Sequence, residues 1–144
     1  MKVAAILSAK GTRVATIRPT ASVGQAIARF RAEGIGALVV VGLNESLLGL
    51  IAERDVINAL AEIGTEVLSK QVEGVMNRRP ATCTPEDDVK AVMTTMTQRR
   101  LRHLPVLDEG ALAGIVSIGD IVKNRLDEMA FEANVLRDAY IATR

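Results

Sequence analysis

The chain has 144 residues, 49% apolar and 24% charged, which suits a packed core rather than disorder. A formal net charge of +1, with Phe30, Phe131 and Tyr140 as the only aromatics, disfavours a base-stacking nucleic-acid surface and gives no bulk drive toward an anionic membrane. One cysteine (Cys83) and one histidine (His103) exclude an intramolecular disulfide and a Cys/His zinc cluster.

The uncharged stretch over residues 35–44 is too short to span a bilayer, and residues 1–11 lack an apolar core of signal-peptide length. A soluble, cytoplasmic protein is therefore expected. Self-similarity organises the rest. With a shift of 66 positions Thr16 meets Thr82, Pro19 meets Pro85, Val23 meets Val89, Leu38 meets Leu104 and Val40 meets Val106. After one gap, at a shift of 65, Gly49 meets Gly114 and Asp55 meets Asp120.

In chain order, each copy opens on a short helical turn. Val3, Ile6 and Leu7 repeat as Val72, Val75 and Met76, with about three extra residues near 10–12 in the first copy. A short strand is predicted over 14–17 and again over 81–84. An amphipathic helix follows, with Val23, Ala26, Ile27 and Phe30 on one face and Val89, Val92, Met93 and Met96 at matched positions. Ser22 with Gln25 spells a capping box, and Asp87 or Asp88 takes that place in the second copy.

Two strands come next, over 37–41 and 48–51, then over 104–107 and 113–116, with turn residues at 44–46 and 108–110. A helix beginning near Arg54, and another near Gly119, closes each copy. Gly64 reads as a C-cap near the boundary. The expected order is α-β-α-β-β-α, twice. Residues 1–67 are expected to form the first repeat, 68–126 the second, and 127–144 a helical extension. From Leu126 into that extension, Met129, Ala133, Leu136 and Tyr140 follow at intervals of three or four residues. Each half is too small for a core of its own, so the two sheets should pack on each other as one α+β unit.

The stretches Gly-Leu-Ile-Ala-Glu-Arg-Asp at 49–55 and Gly-Ile-Val-Ser-Ile-Gly-Asp at 114–120, with Arg-His-Leu-Pro-Val at 102–106, Ile-Gly-Ala-Leu-Val-Val at 35–40 and Val-Met-Asn at 75–77, resemble the CBS domain in two copies. Over residues 1–125 the chain is similar to a stand-alone tandem CBS pair, or Bateman module. The resemblance implies two pseudo-twofold-related repeats with helices outside. It implies a non-catalytic sensor of adenosine-containing ligands (AMP, ADP, ATP or NAD(H)), usually a homodimer, with an unidentified protein target. No catalytic cofactor, nucleic acid or membrane is expected. An enzyme is disfavoured, because no nucleophile and base form a pair.

A carboxylate at Asp55 or Asp120 suits the vicinal hydroxyls of a ribose, or caps the helix it begins. Phosphate calls for a hydroxyl, a guanidinium or free N–H groups at a helix start. Ser117, Gly119 and Arg54 are candidates, while Ala52 lacks the hydroxyl in the first copy. Gly119 equally serves packing, and Arg54 solvation. Lys10, in the insertion, is a further phosphate candidate. The resemblance places adenine contacts at Ala15, Thr16, Ala81 and Thr82 of the first strands, and at Gly36, Ala37, Arg102, His103 and Pro105. It sends Arg102 across the cleft toward phosphate. Pro80 shapes the pocket or ends a turn. His103 reads as a packed residue rather than a catalyst, and Cys83 as a buried thiol. The alternative reading is a dimerising scaffold with degenerate sites, motivated by Ala52 and the amphipathic tail.

Overall fold

The computed structural model describes residues 1–143. Helix α1 (Val3–Lys10) leads into β1 (Thr16–Ile17), α2 (Val23–Glu33), β2 (Ala37–Val41), β3 (Leu47–Ala52) and α3 (Glu53–Ile63). A 3-10 segment (Gly64–Ser69) and a single turn (Val72–Gly74) join this unit to α4 (Val89–Arg99), β4 (His103–Asp108), β5 (Ala111–Ser117) and α5 (Ile118–Ala142). The capping box at α2 is present in full: Gln25 N–H donates to Ser22 Oγ at 3.1 Å, and Ser22 N–H donates to Gln25 Oε1 at 2.8 Å. Asp88 caps α4 through the Lys90 N–H, while Asp87 accepts from the Thr84 N–H instead.

Sheet one runs β1-β2-β3 and sheet two β4-β5. The repeat extends to the register. Ala37 faces Ala52 and His103 faces Ser117, and a bulge falls at Val40/Val41 and again at Val106/Leu107. The strand predicted over 14–17 contracts to Thr16–Ile17. The one predicted over 81–84 does not form. Only Cys83 bridges Val106, donating to the Pro105 carbonyl and accepting from Leu107 N–H. Pro80 and Pro85 flank this stretch without N–H groups, and Thr84 N–H is spent on Asp87, so no longer ladder is available.

The inner face of sheet one (Ala37, Val39, Val41, Leu50) packs against Leu112 and Ile115 of β5. Its outer face (Leu38, Val40, Ile51) is covered by Val23, Ala26, Phe30 of α2 and Val56 of α3. Sheet two is likewise covered by α4 and α5. The two small sheets therefore form one core with helices outside.

The leading segments change places. Val3, Ile6 and Leu7 of α1 are buried with Cys83, Val92, Met96 and Val116 of the second unit. Val72 and Met76 are buried with Val23, Phe30 and Ile51 of the first. Matched backbone bonds hold both exchanges. Val3 N–H donates to Asp87 O and Val89 N–H to Met1 O; Val72 N–H donates to Ala21 O and Val23 N–H to Lys70 O, all at 2.8–2.9 Å. Each unit thus completes its core with the other's first element.

Candidate functional site

Both signature aspartates sit in the first turn of the helix that follows the last strand of their unit. Each already closes that turn. Asp55 Oδ2 accepts from Ala52 N–H at 2.8 Å, and Asp120 Oδ2 accepts from Ser117 N–H at 2.8 Å. In the second copy Ser117 Oγ accepts from Asp120 N–H at 3.1 Å, which completes a capping box. Ala52 makes no equivalent bond. The capping role is thus realised at both positions.

The copies differ in what surrounds the carboxylate. Lys10, at the end of the lengthened α1, donates to Asp120 Oδ2 at 2.7 Å and to the Ile115 carbonyl at 3.0 Å. In the first unit the matched strand residue, Leu50, exchanges two backbone bonds with Asn77 instead. The extra residues near 10–12 thus replace a backbone pairing with an ammonium beside the second aspartate. Burial pushes the Asp120 carboxyl up, but the Lys10 and Ser117 hydrogen bonds outweigh it and hold the group below its ordinary value. Burial dominates at Asp55, and its carboxyl lies above the ordinary value despite the Ala52 N–H and Arg54.

His103 is half-buried at the junction of the two units. A Cβ built on Gly36 would stand 3.4 Å from His103 Cε1 and 2.6 Å from Glu53 Oε1. Burial lowers the imidazole's pKa, and the charges of Lys10 and Arg102 add to this, while Glu53 and Asp120 oppose it. The result favours neutral imidazole at pH 7. Two matched backbone bonds frame this place: Glu53 N–H to Gly36 O at 3.0 Å and Ile118 N–H to Arg102 O at 2.8 Å. Glu53 is a polar residue of the junction that sequence reasoning passes over. Its only signal is its place among the variable positions of the Gly-to-Asp stretch, opposite Ile118.

The structure brings together Lys10, Ser117 and Asp120, with His103 and Arg102 adjacent and Gly36 and Ala37 across the junction. Gly119 is exposed in the same turn, and a Cβ there would meet only Ser117 Oγ, at 3.6 Å. Packing therefore does not require this glycine. Arg54 is exposed beside Asp55. Pro105 is buried in β4, and its carbonyl holds Cys83. Pro80 and Ala81 are half-buried and Thr82 exposed on the irregular stretch before α4, with no polar contact to either aspartate. Ala15 O accepts from Val39 N–H, and Thr16 O accepts from Arg29 at 3.0 Å.

Two open cavities lie elsewhere. One, of about 680 Å³, runs between the hairpin turns and is lined by Thr12, Asn44, Glu45 and Glu109. The other, of about 560 Å³, lies over β1 and α2. Thr16 lines both, and neither reaches Asp55 or Asp120. Cys83 is buried with its thiol pushed up to about 12, chiefly by desolvation, which leaves it inert as a nucleophile. No helix among the described residues is long and apolar enough to cross a membrane.

The Lys10–Asp120 pair makes stability depend on acid. The depressed carboxyl contributes stability that is present above the unfolded value near 3.8 and is lost as pH falls through the folded value. Asp55, raised by burial, acts with the opposite sign. Lys10→Met is expected to cost up to about 1 kcal/mol at neutral pH, since both partners retain solvent access. The difference from wild type should begin to shrink as pH falls below the unfolded value near 3.8 and should disappear only below the depressed folded value. Urea denaturation from pH 7 to 3 checks this; a difference constant with pH would show that the ion pair is not its source.

Two equivalent α/β units, joined face to face with a carboxylate at matched helix starts, define a tandem-repeat module. The CBS domain profile matches residues 8–62 and 72–127, and the chain belongs to the CBS-domain family as a tandem pair. The mitochondrial CBS domain-containing protein CBSX3 of Arabidopsis thaliana is 36% identical over 124 residues, 83% of this chain. The chain spans 60% of that protein's length, and 41% of protein MJ1225 of Methanocaldococcus jannaschii, which is 33% identical. The CBS-domain protein ATU1752 of Agrobacterium tumefaciens is 38% identical, with a TM-score of 0.84, covering 87% of this chain and 99% of that one. The CBS pair of protein MJ0100, solved with 5′-methylthioadenosine and S-adenosylmethionine, is 26% identical with a TM-score of 0.75, covering 85% and 98%.

Proposed function

We propose that the chain is a non-catalytic regulatory module of the cytoplasm that takes an adenosine-containing ligand, AMP, ADP, ATP or NAD(H), in the cleft between its repeats. The observation that carries this reading is the intact Ser117-to-Asp120 turn with Lys10, at the end of α1, beside it. The fold shared with MJ0100, whose structure holds two adenosine compounds, supports the ligand class. In this reading the Asp120 carboxylate takes the ribose hydroxyls, and Lys10, the Ser117 hydroxyl and Arg102 face the phosphate. Adenine lies against the backbone near Ala81, Thr82 and Pro105, with Pro80 at its edge. The first copy, with Ala52, Arg54 and Asp55, is the lesser site; Ala15, Thr16, Gly36 and Ala37 border it.

Signalling follows from Lys10. Helix α1 packs on both β5 and α5. A phosphate that draws Lys10 away from Asp120 shifts α1 against the second unit, and a protein target or the dimer reads the change. Its extent is bounded by the ligand's differential affinity for the two arrangements.

A thermal-shift panel of AMP, ADP, ATP, NAD+, NADH, S-adenosylmethionine and GTP tests the reading. A ligand at a hundredfold excess over its Kd stabilises by about 2.7 kcal/mol, several degrees for a chain of this size. Selective stabilisation by adenosine compounds is the expected result. A flat panel on ligand-stripped protein would favour the scaffold alternative, which Ala52 at the first site also suits.

Gly119→Ala provides an independent check. Its Cβ finds open space, and alanine is the better helix former, so stability should hold or rise by up to about 1 kcal/mol. Affinity for phosphate-bearing ligands should fall about tenfold, because the methyl group covers N–H groups that a phosphate approaches. Unchanged titration curves would show that the ligand does not approach this turn.

A further inference from the structure

Helix α5 continues far beyond the core it helps to cover. It has 25 residues, about 37 Å at 1.5 Å each, and Ile121 is its only buried residue. Beyond it Leu126, Met129, Leu136 and Tyr140 are 60%, 56%, 71% and 65% exposed, and Ala133 is exposed between them. Their spacings are 3, 4, 3 and 4, a strict heptad in which Leu126, Ala133 and Tyr140 take position a while Met129 and Leu136 take d. Such a seam fits another helix rather than the curved surface of a core.

The flanking charges select the occupant. Glu132 falls at position g and Arg137 at the following e position, five residues on. In a parallel pair of identical helices, Glu132 of each copy meets Arg137 of the other, twice by symmetry. Among the described residues neither forms an ion pair, whereas the neighbouring Arg125 is paired with Glu128. An antiparallel pairing that sets Met129 against Ala133 instead brings Glu132 against itself, which is repulsive. We infer that residues 126–143 are the seam of a parallel two-stranded coiled coil with a second copy of this chain.

This deepens the homodimer of the reading above, and rests on that reading only in taking the chain to self-associate. Ligand binding is measured separately, so a flat titration and a monomeric chain are distinct failures. Sedimentation equilibrium of the full chain from micromolar to millimolar concentration is the test. Wild type should be dimeric, and Leu136→Asp should weaken the dimer by about tenfold or more. Glu132→Arg and Arg137→Glu should each weaken it, and the two together should restore it; circular dichroism reports whether each variant is folded. Ala133→Cys should form an intermolecular disulfide in oxidised glutathione, since a parallel pair sets position 133 against itself, whereas wild type, with Cys83 buried, should not. A monomeric wild type, a dimer indifferent to Leu136→Asp, or a double charge exchange no better than its single variants overturns the inference.

Discussion

Replacing Gly49 with alanine is expected to lower folding stability by about 1–3 kcal/mol, the range of an overpacked core. A Cβ at this position would stand 2.6 Å from the Asn77 carbonyl oxygen and 2.8 Å from Met76 Sδ. The Asn77 backbone cannot yield freely. Its N–H donates to Leu50 O at 2.9 Å and its carbonyl accepts from Leu50 N–H at 3.0 Å, so retreat breaks both bonds at the edge of β3. Met76 is buried in the first core, so its side chain has little room to move. The matched Gly114 faces Leu7 instead, with Cδ2 at 2.7 Å, and the far end of a leucine can adjust. Gly114→Ala should therefore cost about 1 kcal/mol, less than Gly49→Ala. Urea midpoints at constant slope decide the order, and an equal or reversed order would mean that the Asn77 segment moves more easily than its bonds imply. Both glycines of the signature thus serve the exchanged segments: each leaves room for the other unit's first element to cross the strand.

Asp120→Ala is expected to weaken binding of the proposed adenosine ligand by roughly tenfold to a hundredfold, the loss of hydrogen bonds to a charged group. Asp55→Ala should weaken it by less than about threefold. The asymmetry follows from the surroundings. Asp120 is held below its ordinary pKa by Lys10 and Ser117, which keeps it an acceptor, whereas Asp55 is raised by burial and has alanine in place of the serine. Isothermal titration of both variants measures it. Asp120→Asn separates binding from folding, because an amide oxygen still accepts the Ser117 N–H that caps α5. A 2′-deoxy ligand should lose affinity for wild type and lose little more on Asp120→Ala, as expected when the carboxylate and the hydroxyl act as a pair. Equal losses at Asp55 and Asp120 would place the dominant site elsewhere than in the second copy.

These two expectations draw on different parts of the molecule. The glycine effect belongs to the exchange of first elements, which welds the units together. The aspartate effect belongs to the place where that exchange delivers Lys10. One structural fact thus underlies both: α1 begins the chain yet completes the second core.

Much of this was legible in residue order. The shift of 66, then 65, located both copies, Ser22 with Gln25 located a helix start, and the spacing of Val23, Ala26, Ile27 and Phe30 located a helix face, of which Ile27 at the margin stays exposed. Periodicity and capping are short-range, so a local window contains their cause. The doubled Gly-to-Asp stretch pointed to the family for the same reason. Tertiary structure alone decided that α1 packs on the second unit, that the stretch over 81–84 makes a single bridge, and that Glu53 meets Gly36 and His103 at the junction. It alone set Lys10 at 2.7 Å from Asp120, a partner 110 residues away. No window of sequence spans that distance. The pairing arises because burial of Val3, Ile6 and Leu7 in the second core carries the end of α1 to the start of α5, and the proximity that shifts the Asp120 carboxyl exists only after that core has closed.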